Sequence, residues 1–154
     1  MTVQHDLGNV LRENKASLAR IARHYARPGE QDDLLQEISI ALWRGLNRFK
    51  GKSKLSTWVY RVAINTALQY VRRRRLPTEP LNTEPSDPHG MDGALHLLEE
   101  FLSTLAPVNR AILLLDLEGV DKQEIADVMG LSPGAVAVRM TRMKSSFAEQ
   151  YLED

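Results

Sequence analysis

The stretch from residue 76 to residue 93 constrains the fold most. It carries Pro77, Pro80, Pro85, Pro88, Gly90 and Gly93 among Asp, Glu, Ser and Thr. Proline lacks the amide donor a helix or ladder needs, and glycine pays the largest backbone entropy, so no regular element can cross this stretch. It reads as a flexible linker, residues 77–93, between two domains, residues 1–76 and 94–154. Both flanks are rich in Leu, Ala, Arg and Glu and show long apolar patterns at a period of 3.6. The expected class is therefore all-α: two small helical domains, the C-terminal one a helix-turn-helix.

Charge separates the same two parts. The chain as a whole is neutral, yet residues 1–76 hold 15 Lys+Arg against 6 Asp+Glu, and residues 77–154 hold 5 against 14. A balance of +9 facing −9 points to a polyanionic partner for the first part. There are no cysteines, so disulfides and thiolate zinc sites are excluded. His5, His24, His89 and His96 show no metal-ligand spacing, and neither a metal nor a cofactor is expected. No apolar run approaches a membrane span and the start lacks a signal-peptide core, so a cytoplasmic protein without membrane insertion is expected.

In chain order, Leu7, Val10, Leu11, Leu18, Ile21, Ala22 and Tyr25 predict one helix ending at Pro28-Gly29. A second helix starts near Gln31-Asp32, with Asp32 and Asp33 where the helix dipole favours negative charge. Its inward stripe is Leu34, Leu35, Ile38, Ala41, Leu42, Gly45 and Leu46. Ile40 and Trp43 lie off that stripe, as either a second packing contact or a partner surface. Residues 47–56 form a basic loop hinged at Gly51. Ser56 is expected to cap a third helix whose inward stripe is Trp58, Val59, Val62, Ala63, Thr66, Ala67, Tyr70 and Val71. Arg61, Asn65, Gln69 and Arg72 form a polar row on another face, able to meet phosphates and base edges. The closing run from Arg72 to Arg75 is either a solvated terminus or part of a nucleic-acid surface with Lys50, Lys52, Lys54, Trp58 and Tyr60. Basic groups interleaved with aromatics suit a strand with unstacked bases.

After the linker, Leu95, Leu98, Phe101, Leu102 and Leu105 predict a helix, and Pro107 opens another through the buried run of residues 111–115. Residues 117–147, LEGVDKQEIADVMGLSPGAVAVRMTRMKSSF, then hold two short helical patterns. Asp121 and Glu124 form a capping pair, Gly130 suits a left-handed stop, and Ser132-Pro133 opens the second helix. Val136, Met140 and Met143 make its buried stripe. A short polar tail follows. Helix, tight turn and capped second helix with arginines is the helix-turn-helix pattern, whose second helix commonly lies in the DNA major groove; an ordinary helical hairpin is the competing reading.

The segment DDLLQEISIALWRGLNRFKGKSKLSTWVYRVAINTALQYVRRRR resembles the second domain of bacterial sigma factors of the extracytoplasmic-function (ECF) group of the sigma-70 family. LSTLAPVNRAILLLDLEGVDKQEIADVMGLSPGAVAVRMTRMKSSF resembles their fourth domain. The resemblance implies a transcription initiation factor that binds core RNA polymerase, directs it to promoter DNA and assists melting. It assigns polymerase binding to Asp32, Asp33, Leu34, Gln36, Glu37, Ile40, Trp43 and Arg44. It assigns the minus-ten element to Phe49, Lys50, Lys52, Ser53, Arg61, Asn65, Gln69 and Arg72, with Phe49 and Asn65 beside a pocket for a flipped base. Trp58 and Val59 are expected in the core.

The minus-thirty-five element falls to Ser132, Gly134, Ala135, Ala137, Arg139, Thr141, Arg142 and Lys144. The family usually carries Thr, a basic residue and a polar residue where Ala135, Ala137 and Val138 stand, so weak or relaxed upstream reading is expected. Arg139 has two readings, a DNA contact or a pairing inside the domain. An anti-sigma factor is the regulatory partner implied at family level, and the free chain is expected to be a monomer. The competing function is a stand-alone helix-turn-helix regulator. No Gly-rich phosphate loop, nucleophile elbow or catalytic His/carboxylate cluster is present, so the chain reads as no enzyme.

Overall fold

The computed structural model describes residues 6–74 and 93–152, which form eight helices and no strand among the described residues. The all-α class is thus the one observed. The chain divides into two compact units, with the division between Glu79 and Pro80, inside the Pro/Gly-rich stretch. The expected linker up to residue 92, Arg75, His5 and His89 lie outside the described residues. Gly93, counted as linker from its sequence, opens a helix instead.

The first unit contains α1 (Leu7–Glu13), α2 (Lys15–Tyr25), α3 (Gln31–Leu46) and α4 (Leu55–Arg74). α2, α3 and α4 pack on one another, and α1 packs on α3. Their core is Val10, Leu18, Ile21, Tyr25, Leu34, Ile38, Leu42, Val59, Ala63, Ile64, Ala67 and Tyr70, all buried. Burying a side chain of Leu, Ile or Val size contributes about 1.5–3 kcal/mol, so these positions carry the unit.

Three expectations need correction here. The expected first helix is two, broken at Asn14, whose φ of −111° leaves the helical region. The Asn14 side-chain amide donates to the Val10 carbonyl at 2.8 Å, the local side-chain bond by which Asn competes with a continuing helix. Ser56 is not the cap of α4: the helix already runs from Leu55, and Trp58 N–H donates to the Lys54 carbonyl at 3.1 Å. The α4 stripe is also rotated slightly. Ile64 and Thr57 are buried, whereas Trp58, Val62, Thr66 and Val71 are half-buried.

The second unit contains α5 (Gly93–Thr104), α6 (Pro107–Leu117), α7 (Lys122–Met129) and α8 (Pro133–Tyr151). α6 packs on α5, α7 and α8, and α7 packs on α8. Pro107 stands at the first position of α6, and residues 111–115 are all buried. Leu95 is exposed and not inward as its spacing suggested. The expected polar tail is helical: α8 continues to Tyr151 because Phe147 and Tyr151 pack on Phe101, with ring centroids 5.3 and 6.3 Å from it. Edge-to-face aromatic pairs of this kind contribute about 0.5–1.5 kcal/mol beyond burial.

Arg110, on α6, is the least expected core residue, being only 3% exposed. Its Nε donates to the Leu102 carbonyl at 2.9 Å, and its Nη2 donates to the carbonyls of Leu105 at 3.0 Å and Ser103 at 3.3 Å. The last carbonyls of a helix have no partner inside it. One guanidinium thus satisfies the end of α5 and fixes the α5–α6 corner.

Candidate functional site

α3 is two-faced. Leu34, Ile38 and Leu42 are fully buried, while Trp43 is 62% and Ile40 42% exposed. A tryptophan held in water by a well-packed helix forgoes much of the burial energy available to it. Asp32, Asp33, Gln36 and Arg44 are exposed along the same helix. Ala41, Trp43, Arg44, Gly45, Asn47 and Arg48 line a shallow open groove at the C-terminal end of α3. Leu34 departs from the expected contact set: it lies in the core and cannot face a partner. Glu37 is half-buried and paired with Arg73 on α4.

Gly45 sets the spacing between α3 and α4. A Cβ built there would lie 2.9 Å from Cζ2 of Trp58. Trp58 in turn meets Phe49 with ring centroids 5.5 Å apart and planes at 46°. The loop between the helices is therefore anchored by Phe49 against α4, with Gly51 at φ +73° supplying a turn that L side chains rarely adopt. Lys50 and Lys52 stand exposed on it, with Ser53 half-buried. On α4, Asn65, Gln69 and Arg72 are exposed and Arg61 is half-buried, so the polar row expected from spacing lies along one side of the helix. Val59 is fully buried, as expected, and Trp58 is half-buried.

The arginine run is divided in its tasks. Arg73 bonds Glu37 at 2.6 Å, and Arg74 bonds Glu30 at 3.2 Å while lying over the Tyr70 ring at 4.9 Å. The Tyr70 hydroxyl donates to the second oxygen of Glu30 at 3.1 Å. Burial pushes the Tyr70 phenol upward from its ordinary value, and the neighbouring Glu30 carboxylate adds to the shift. Arg73 and Arg74 thus bind α4 to the start of α3, whereas Arg72 is exposed beside the polar row. Glu30, at the junction before α3, had no signal in the sequence that could have marked it as a partner of residues forty positions away.

In the second unit the caps of the helix-turn-helix form as read. Asp121 accepts from Glu124 N–H at 2.9 Å, Gly130 is left-handed at φ +68°, and Ser132 accepts from Ala135 N–H at 3.1 Å. Val136, Met140 and Met143 are buried. Ser132, Gly134, Val138, Thr141, Arg142 and Lys144 are exposed, and Ala135 and Ala137 are half-buried. Arg139 turns inward: its Nη1 donates to Asn109 Oδ1 on α6 at 2.8 Å. Arg110 and Asn109, which position the corner and this arginine, were missed by sequence reasoning. An arginine set immediately before a five-residue apolar run was the one available hint.

No helix among the described residues is long and apolar enough to cross a membrane. Comparison with known proteins matches residues 10–76 to the family model of sigma-70 region 2 and residues 95–146 to that of sigma-70 region 4. The chain is 29% identical over 148 residues to the ECF RNA polymerase sigma-E factor of Escherichia coli strain K12, covering 84% of this chain and 78% of that protein. It is 30% identical over 148 residues to the ECF RNA polymerase sigma-E factor of Haemophilus influenzae, covering 82% and 77%. Its fold is similar to that of the sigma factor RpoE from Bartonella quintana, solved with the anti-sigma factor NepR, at a TM-score of 0.77, 19% identity and coverage of 96% and 97%. CnrH, solved with the cytosolic domain of CnrY, shares the fold at a TM-score of 0.68 and 23% identity, covering 94% and 86%.

Proposed function

The chain belongs to the ECF group of the sigma-70 family, RNA polymerase-binding promoter-specificity factors, and from that premise we propose how its two units divide the work. Core RNA polymerase binds the α3 face of Asp32, Asp33, Gln36, Glu37, Ile40, Trp43 and Arg44. The exposure of Trp43 and Ile40 opposite a fully buried stripe carries this reading. A simple regulator has no use for such a face, since aromatic anchors in water are the mark of a protein interface.

The basic loop and α4 receive the minus-ten element. Lys50, Lys52 and Arg72 attract the phosphates, and Arg61, Asn65 and Gln69 meet the strand along one side of the helix. Asn65 pairs with the edge of an extruded base, and Phe49, held against Trp58, walls the pocket. Unstacking a base costs a few kcal/mol, which capture of the strand offsets, so melting needs no nucleotide hydrolysis. The second unit carries α8 to the upstream element, where the Gly134 N–H and the exposed Ser132 hydroxyl at the start of the helix suit a phosphate and Arg142 and Lys144 suit its neighbours. Arg139 acts as a positioning residue through Asn109.

The family is a non-enzymatic class of initiation factor, and this chain acts without catalysis or cofactor of its own, in the cytoplasm, as a monomer when free. A protein of the anti-sigma kind is its regulatory partner; the similarity in fold to RpoE, solved with the anti-sigma factor NepR, and to CnrH, solved with the cytosolic domain of CnrY, supports this.

Co-elution with bacterial core RNA polymerase on a sizing column tests the assignment, at about 0.15 M salt so that nonspecific attraction is screened. A stoichiometric complex is expected for the wild-type chain and none for Trp43→Ala, whose fold is unchanged. Binding unaltered by Trp43→Ala would remove α3 from the interface, and no wild-type complex would overturn the polymerase reading itself.

A further inference from the structure

We propose that α8 reads thymine methyl groups through an apolar patch of Gly134, Ala135 and Val138, so that the upstream element is specified by apolar contact and not by hydrogen bonds to base edges. The inference rests on the assignment of α8 to promoter DNA and goes on to name what that helix recognises.

With Val136, Met140 and Met143 buried, the opposite side of α8 presents Gly134, Val138 and Thr141 in successive turns, with Ala135 and Arg142 along one margin. Recognition helices contact base edges with their N-terminal residues. Here those residues have no side-chain donor or acceptor at all. Val138 is 49% exposed, and a Cβ at Gly134 would meet nothing within 4 Å, so the patch is open to close approach. The one apolar group that a base pair presents in the major groove is the C5-methyl of thymine. Arg139, the nearest long cation, is committed to Asn109. Thr141, Arg142 and Lys144, exposed from one turn C-terminal to Val138 onward, are assigned on this reading to the backbone phosphates.

Electrostatics point the same way. Residues 93–152 hold 5 Lys+Arg against 8 Asp+Glu, and one of the five, Arg110, is buried. The unit therefore lacks the general phosphate attraction that dominates most DNA affinity, and the short-range methyl contacts carry a larger share of the discrimination.

The test uses core RNA polymerase reconstituted with the full chain. Duplexes randomised over the promoter length are selected by retention on this holoenzyme, and the retained sequences are resynthesised with deoxyuridine replacing thymidine in the upstream element. Thymine is expected at one or more upstream positions. Loss of its methyl should weaken retention about fourfold per methyl. In a holoenzyme carrying Val138→Ala, which forms normally, the same replacement should matter less than about twofold. An upstream element specified by guanine or cytosine, or a deoxyuridine effect equal in both holoenzymes, would overturn the methyl reading while leaving the polymerase assignment intact. Failure of the wild-type chain to form a holoenzyme would overturn both.

Discussion

Arg110→Ala isolates the role of a single buried guanidinium. The side chain satisfies three main-chain oxygens at the α5–α6 corner, two of them at 2.9 and 3.0 Å. Hydrogen bonds involving a charged group contribute about 1.5–3 kcal/mol each, so the two short ones alone amount to about 3 kcal/mol or more. Truncation also leaves the buried Leu102 carbonyl and the part-buried Leu105 carbonyl without that donor. A unit of about 60 residues has only about 3–9 kcal/mol of stability in total. At about 4–8 °C per kcal/mol for a domain of this size, the second unit should melt about 12–24 °C lower. The chain offers a clean internal control: both tryptophans, Trp43 and Trp58, belong to the first unit. Tryptophan fluorescence follows that unit alone, and far-UV circular dichroism follows both. Arg110→Ala should shift the dichroism transition and leave the fluorescence transition in place. Arg110→Lys, which keeps the charge and loses the planar fork, should fall between. A shift below about 4 °C would mean that the guanidinium contributes less than about 1 kcal/mol, and the corner would need another explanation.

Gly45→Val places a branched carbon where a Cβ already comes within 2.9 Å of the Trp58 ring; a loss of about 1–3 kcal/mol is expected, read by Trp58 fluorescence in a Trp43→Phe background. An unchanged denaturation midpoint would refute the close approach of α3 and α4. Tyr70 gives a pH signature. Its phenol is pushed up by burial and by Glu30 from an ordinary value of 10.0, so the folded unit holds the proton more tightly than the unfolded chain. The stabilisation is complete below the unfolded value and is lost as pH rises through the raised folded one. Thermal melts between about pH 9 and about pH 11 should therefore fall more steeply for the wild type than for Tyr70→Phe, and parallel curves would count against the shift.

Much of the architecture was legible in the chain itself, because it depends on local chemistry. The Pro/Gly run divides the chain since several such residues close together leave too few amide donors and too much backbone freedom for a helix to propagate. The stops and starts at Asp121, Gly130, Ser132 and Pro133 form as read because a cap is a bond between residues three or four apart. The off-stripe position of Ile40 and Trp43 follows from helical period, and their exposure matches it. The same reasoning failed where a local rule met a competing one. Asn14 broke an unbroken apolar period through a bond to its own preceding turn, and Leu55 extended α4 past the serine that looked like its cap.

The remaining features were decided by contacts between residues far apart in sequence. Glu30 and Glu37 meet Arg74 and Arg73 only because α3 and α4 pack together, which turns part of an apparent nucleic-acid run into a brace. Arg139 could have faced DNA or the interior by period alone, and it was Asn109 on α6 that drew it in. Tyr151 read as part of a polar tail until Phe101 and Phe147 gave it a surface to bury against. Sequence determines which faces a helix has, because period and caps are short-range. Which of its charged and aromatic side chains remain available on those faces is a tertiary matter, settled by whichever distant partner can satisfy a charge or exclude water from a ring.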